Sequence, residues 1–246
     1  MAPEKADARS FGRAIRLHLE RVETVNAATL DVVSELMLGV VRRDRLIHVT
    51  GTGHSIALML ETFYRAGGLA CVQPLYHASL LPLHGGQEST LCEHATGLAD
   101  LLVARAAPGP DDLAFVFSHS GLNAVPVEAA DALRARGTPV VGVVSLTHLR
   151  AAPARVGHKL DDVADFILDT LVPYGDAAYS AGDGVATAGL SSMTGVFLWN
   201  LLLARLADLA EAQGVQLPIW TSSNVEHGAE RNEELFAAYR SRVPAL

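Results

Sequence analysis

Short apolar runs separated by amphipathic stretches constrain this chain more than any other feature. The runs cover residues 46–50, 69–73, 113–117, 140–144 and 166–168. Each is rich in Val, Ile or Phe, or is short and bracketed by turn residues, as a strand buried in a sheet requires. Between them lie the amphipathic segments 56–66, 92–105 and 125–136. Strands and helices alternating at this spacing predict a parallel sheet covered by helices on both faces, an α/β fold. Two strand entries carry turn chemistry, Pro108-Gly109-Pro110-Asp111-Asp112 and Gly137-Thr138-Pro139.

Helices are expected on either side of this core. Leu17, Val22, Val25, Leu30, Val33, Leu36 and Val40 recur at helical steps and predict one long helix over 8–41. Residues 190–212 read as a largely buried helix ended by Gly214, and a last helix is expected over 229–240. With no repeat, low-complexity stretch or linker, 1–246 reads as a single domain. It divides into an N-terminal helix (1–43), an α/β core (44–189) and C-terminal helices (190–246).

Composition narrows the function. Half of the 246 residues are hydrophobic, enough for one sizeable core. The net charge is −8 with no dense Lys/Arg run, which argues against nucleic acid and membrane surfaces as partners. Cys71 and Cys92 stand too far apart in sequence for a disulfide framework or a zinc ribbon. The first ten residues lack the apolar run of a signal peptide, and the apolar stretch 196–203 is too short for a bilayer. A cytoplasmic protein is the expectation.

Two expected strand ends carry the chemistry. In an open parallel sheet, ligands sit at the carboxyl ends of the strands. The first end reads Thr50-Gly51-Thr52-Gly53-His54-Ser55 and the second Ser118-His119-Ser120-Gly121-Leu122-Asn123. Glycines admit close backbone approach, and amides opening a helix point at anions. Either loop alone is an ordinary tight turn or helix cap. Together they make a site that holds one phosphate without any Lys or Arg. A dinucleotide fold expects a further glycine where Ile56 stands.

These loops resemble those of the sugar isomerase (SIS) domain family. The resemblance extends to Phe63-Tyr64-Arg65-Ala66-Gly67-Gly68, Gly175-Asp176-Ala177 and Asn224-Val225-Glu226-His227-Gly228, which match its small single-domain members. It implies a five-stranded, doubly wound parallel sheet, a phosphosugar ligand and a homodimer. By the same resemblance Thr52, Gly53, His54, Ser55, Ser118, Ser120, Gly121 and Asn123 surround the phosphate, and Asn224 lies near the ligand.

Sugar chemistry in such proteins starts with removal of a proton beside the open-chain carbonyl, which needs a base and a nearby acid. Glu93 is the first candidate. It is expected to open the helix over 92–105, and it precedes the second loop by 25 positions. The N-acetylmuramic acid 6-phosphate etherases are similar in having a glutamate there. An acidic residue in a first helical turn also has an ordinary dipole role. Glu61 is the second carboxylate, with Arg65 as its alternative partner one turn on. His227 is the third catalytic candidate, and His119 is a further ligand candidate. Ser191, Ser192 and Thr194 either contact the sugar or simply cap and pack a helix. His77, His84 and His94 surround a segment expected to cap the site, and no histidine pair has helical metal spacing with a third ligand at hand. No metal or cofactor is expected. The expected activity is a lyase eliminating water from N-acetylglucosamine 6-phosphate. The alternatives are an aldose–ketose isomerase and a non-catalytic sugar-phosphate sensor.

Overall fold

The computed structural model describes residues 8–246. Helix α1 spans Ala8–Arg42 and leads into strand β1, Ile47–Gly51. There follow α2 (Ile56–Thr62), β2 (Val72–Pro74), α3 (Gly86–His94), α4 (Leu98–Ala106) and β3 (Leu113–Phe117). Then come α5 (Ala124–Ala135), β4 (Val140–Val144), α6 (Leu146–Ala151), α7 (Leu160–Val163) and β5 (Phe166–Asp169). A hairpin of β6 (Ala177–Gly182) and β7 (Val185–Gly189) precedes α8 (Ser191–Ala212) and α9 (Gly228–Tyr239).

The main sheet has five parallel strands in the order β2-β1-β3-β4-β5. Side-chain alternation along its strands builds two layers. Leu113, Phe115 and Phe117 of β3 join Val141 and Val143 of β4 in a core shared with α1, α2 and α8. Ala114 and Val116 join Val140 and Val144 against α5, α6 and α7. Helices α1 and α8 are each long and apolar enough to cross a membrane by length and composition. Here they pack on each other, burying Leu30, Val33, Met37, Leu198, Trp199 and Leu202. Asn26 ties α1 to the free edge of β5. Its Nδ2 donates to the Asp169 carbonyl at 2.8 Å and its Oδ1 accepts from the Asp169 N–H at 2.8 Å.

Four expectations are corrected. The second strand is only Val72–Pro74, because Pro74 has no N–H and Leu69 pairs instead with Ile219. Helix α2 stops at Thr62 rather than 66. Phe63 is extended, Tyr64 turns left-handed at φ 43°, and its ring meets Trp220 and Phe236 at 5.2 and 5.5 Å. The expected helix over 92–105 is two helices, broken at left-handed Gly97, whose N–H is taken by the Glu128 carboxylate at 2.8 Å. Glu93 therefore lies in the last turn of α3 and does not open a helix. The hairpin and the short helices α6 and α7 have no counterpart in the sequence reading.

Strands β1 and β3 are pinned where both begin. Asp112 accepts from the Leu46 N–H at 3.0 Å and the Gly109 N–H at 2.8 Å, with buried His48 Nε2 at 3.5 Å. Burial raises the pKa of this carboxyl. The His48 imidazole and the two amides outweigh burial and hold it at about 2. This lies below an unfolded carboxylate's ~3.9, so Asp112 stabilises the fold above that pH. The contribution is lost as pH falls through about 2. Asp112→Asn is expected to lower the urea midpoint at pH 7 and to flatten its decline between about pH 4 and pH 2. An unchanged acid limb would exclude Asp112 as a pin.

Candidate functional site

The strand order places the two glycine- and serine-rich loops side by side. They are far apart in the chain, yet β1 pairs directly with β3, Gly51 opposite Phe117. In a sheet of order 2-1-3-4-5, the connections leave in opposite directions at β1 and β3, opening a crevice at their carboxyl ends. Both loops line that crevice.

The first loop follows from close packing. A Cβ on Gly51 would stand 3.1 Å from the Ser55 carbonyl and 3.2 Å from that of Phe117, both backbone atoms that cannot swing aside. Gly53 is left-handed at φ 55° and starts a tight turn, Gly53–Ser55, that feeds α2. Ser55 makes no side-chain cap bond to α2, so the ordinary capping role is not realised. His54 is exposed on the same turn.

The second loop folds around Ser118, whose buried Oγ accepts from the Gly121 N–H at 3.1 Å. Gly121 is left-handed at φ 65°, and a Cβ there would stand 2.6 Å from Leu149 Cδ1. Asn123 is the N-cap of α5 but makes no side-chain cap bond. Its Oδ1 instead accepts from Arg155 Nη1. That fixes the amide, leaving Nδ2 as its free donor face. Ser120 lies partly exposed between them.

Glu93 reaches the first loop from α3. The Thr52 hydroxyl donates to Oε2 at 2.7 Å, and a Cβ on Gly53 would stand 3.7 Å from that oxygen. The side chain is 17% exposed, shielded yet reachable from the crevice. His94 Nε2 lies 3.9 Å from Oε1 and 2.7 Å from Arg155 Nη1. Arg155 thus bridges the α3 side of the crevice to Asn123 on the β3 side. A site without any Lys or Arg is corrected: one guanidinium stands at its mouth. Only its fold neighbours reveal it, because Arg155 lies 32 positions past Asn123 in an undistinguished loop.

The other candidates fall elsewhere. Glu61 is bound by Arg65 and faces Asn200 Nδ2 of α8 at 3.3 Å, with no hydrogen bond to either loop among the described residues. Ser191 is held by Asp176, which accepts from its N–H at 2.7 Å and its hydroxyl at 2.9 Å. Thr194 is buried and contacts His18 at 3.3 Å, while Ser192 is partly buried. His227 is exposed between Glu226 and Glu230, and Asn224 is exposed in the preceding turn. Neither makes a hydrogen bond to the crevice loops among the described residues. His77 and His84 flank short turns after β2, and His77 bonds Ser79. A wider apolar groove of 610 Å³ runs between Met59, Phe63, Tyr76, Leu102 and the C-terminal residues, and neither loop lines it. Among the described residues no group of three His, Cys, Asp or Glu is arranged to hold a metal ion.

The fold and crevice define a doubly wound α/β protein with its ligand end at the β1/β3 switch point. The family model for the SIS domain matches residues 10–145, and the chain belongs to that family. It is similar to a UPF0309 protein of Listeria monocytogenes, 32% identical over 209 residues, 84% of this chain and 85% of that one. A UPF0309 protein of Geobacillus kaustophilus is 30% identical over 239 residues, 96% of this chain and 95% of that one. Among solved structures, phosphoheptose isomerases share the fold. The one from Neisseria gonorrhoeae has a TM-score of 0.53 at 19% identity, covering 83% of this chain and 96% of that one. The one from Francisella tularensis has a TM-score of 0.55 at 12% identity, covering 81% and 96%.

Gly121→Ala is expected to cost about 1–3 kcal/mol through the clash with Leu149 and the left-handed backbone. Gly86→Ala meets open space at the start of α3 and is expected to be neutral. Urea melts of both variants test this; equal stability would mean the second loop is not built around Gly121.

Proposed function

We propose that the chain is an enzyme of phosphorylated sugars in which Glu93 removes the proton from C2 of an open-chain sugar 6-phosphate. The observation that carries this reading is the 2.7 Å bond from Thr52 to Glu93 Oε2, which presents a shielded carboxylate beside the first loop. In this reading the phosphate sits between Thr52–Ser55 and Ser118–Asn123, held by backbone amides, hydroxyls, the Asn123 amide and the Arg155 charge. That leaves Oε1 of Glu93 free to take a proton.

Abstraction at C2 leaves an enolate with two fates. In N-acetylglucosamine 6-phosphate the C3 hydroxyl takes up the proton that Glu93 removed from C2 and departs as water, giving a 2,3-unsaturated product. We put this lyase reading first, because Glu93 stands before the second loop as the corresponding glutamate does in the etherases it resembles. In a sugar whose C2 bears a hydroxyl, return of the proton to C1, with the O2 proton passing to O1, gives a ketose, which makes an isomerase. One finding favours that second reading: Glu61 is engaged with Arg65 and Asn200, which suits a reaction in which a single carboxylate carries a proton from C2 to C1. We further read the 246 residues as one domain that works in the cytoplasm as a homodimer. Exposed Leu60, Leu83, Leu91 and Leu101 on and between α2, α3 and α4 support pairing.

Incubation with N-acetylglucosamine 6-phosphate in deuterated water, followed by proton NMR and mass spectrometry, tests the assignment. A product lighter by one water with a vinylic proton is expected. Glu93→Gln is expected to slow its formation by about 10²–10⁴-fold. With glucose 6-phosphate in place of the amino sugar, a ketose carrying deuterium at C1 and no loss of water would establish the isomerase instead. Full turnover by Glu93→Gln would overturn the role of Glu93.

A further inference from the structure

A pair of imidazoles lies beside the second loop with unsatisfied nitrogens. Both ring nitrogens of His119 and Nδ1 of His148 are buried without a hydrogen-bond partner. Buried polar atoms in native proteins nearly always have a partner, because leaving one unpaired forfeits its hydration without return. Three such atoms in one place need a reason. Packing alone does not give one, since an apolar residue would fill the same space at lower cost.

Their position supplies it. His119 sits between Ser118 and Ser120, at the carboxyl end of β3. His148 comes from α6, which starts at the carboxyl end of β4. The rings meet edge to face at 4.7 Å. Tyr174, beyond β5, stacks on His148 at 4.6 Å and is 63% exposed, so it covers His148 from outside. The neighbouring charges are Asp176, which acts on both rings, and Arg155, which acts on His148. Burial lowers the pKa of both imidazoles, and Asp176 only partly offsets it. They are therefore kept towards the neutral form, in which each ring has one N–H donor and one acceptor.

We propose that His119, backed by His148, forms the sugar-oxygen subsite of the crevice, donating a neutral N–H to the oxygen on which negative charge builds. The inference deepens the phosphosugar reading and rests on it. Removal of the C2 proton by Glu93 moves charge onto the carbonyl oxygen. A neutral imidazole N–H aimed at that oxygen stabilises the charge without giving up its proton, so no proton changes hands at His119. This supplies a hydrogen-bond donor to the charged oxygen that neither carboxylate provides. The hydroxyls of a sugar held in the crevice then satisfy the unpaired atoms.

The experiment is an NMR titration of the full chain with ¹⁵N-labelled backbone and histidine side chains. The probes are inorganic phosphate, then glucitol 6-phosphate, an open-chain polyol phosphate that cannot react. Phosphate is expected to shift the amides of Gly53, Ser120 and Gly121 and leave the His119 ring nitrogens in place. Glucitol 6-phosphate is expected to shift the same amides and also the ring nitrogens of His119 and His148. Loop shifts without ring shifts would overturn the subsite while leaving the phosphate site standing. No loop shift with either probe would overturn the phosphosugar reading, and the subsite with it. In turnover assays on N-acetylglucosamine 6-phosphate, His119→Gln is expected to lower kcat by about 10²-fold. Its KM is expected to change less than threefold, and its urea midpoint is expected to stay within the wild-type range. Wild-type kcat in this variant would equally overturn the subsite.

Discussion

The direct pairing of β1 with β3 is the constraint on which the rest depends. These strands are not consecutive, since β2 lies between them in the chain and outside them in the sheet. The pairing is secured at its base, where Asp112 takes amides from the entries of both strands. At the other end it forces the chain to leave in opposite directions, and a crevice results. Gly51 and Gly121 meet the steric demands of that end. One lets the first loop pass close to the Phe117 carbonyl, and the other turns left-handed under Leu149. The ligand end is thus a consequence of topology, and the loops line it with amides and hydroxyls.

An acidic chain that collects an anion must concentrate positive potential locally. In the proposed phosphate site this falls to backbone amides, the start of α5 and one guanidinium. Arg155 joins His94 on α3 to Asn123 at the start of α5. It therefore couples the carboxylate side of the crevice to the loop proposed to hold the phosphate. Glu93 is positioned by two independent elements: α3 supplies the residue, and Thr52 on the opposite loop orients its carboxylate. That arrangement holds a negative group beside the proposed phosphate site.

Much of the fold was legible in the sequence because its strands are wholly buried. Residues 113–117 and 140–144 are continuous apolar runs, and they form β3 and β4 without a change of boundary. The second strand was misplaced because burial at 69–71 comes from pairing with the C-terminal segment, a contact invisible in local pattern. Gly97 reads as a tolerable helical glycine until Glu128, from another helix, is seen to take its N–H. The hairpin is largely exposed and so has no apolar periodicity to read. The two loops were legible from glycine and serine spacing, and Glu93 from resemblance, although its helical position was wrong. Arg155 and His148 were not legible, because what marks them is proximity across the sheet rather than spacing along the chain.

The central claim is that one crevice at the β1/β3 switch point holds the phosphate and presents the sugar to Glu93. A crystal structure of Glu93→Gln with N-acetylglucosamine 6-phosphate tests it most directly. The account predicts phosphate density between residues 52–55 and 118–123, with C2 about 3–3.5 Å from the side chain at position 93. Phosphate density in the apolar groove beside Met59 and Tyr76, or in the turn around Asn224, with the two loops empty, would contradict it.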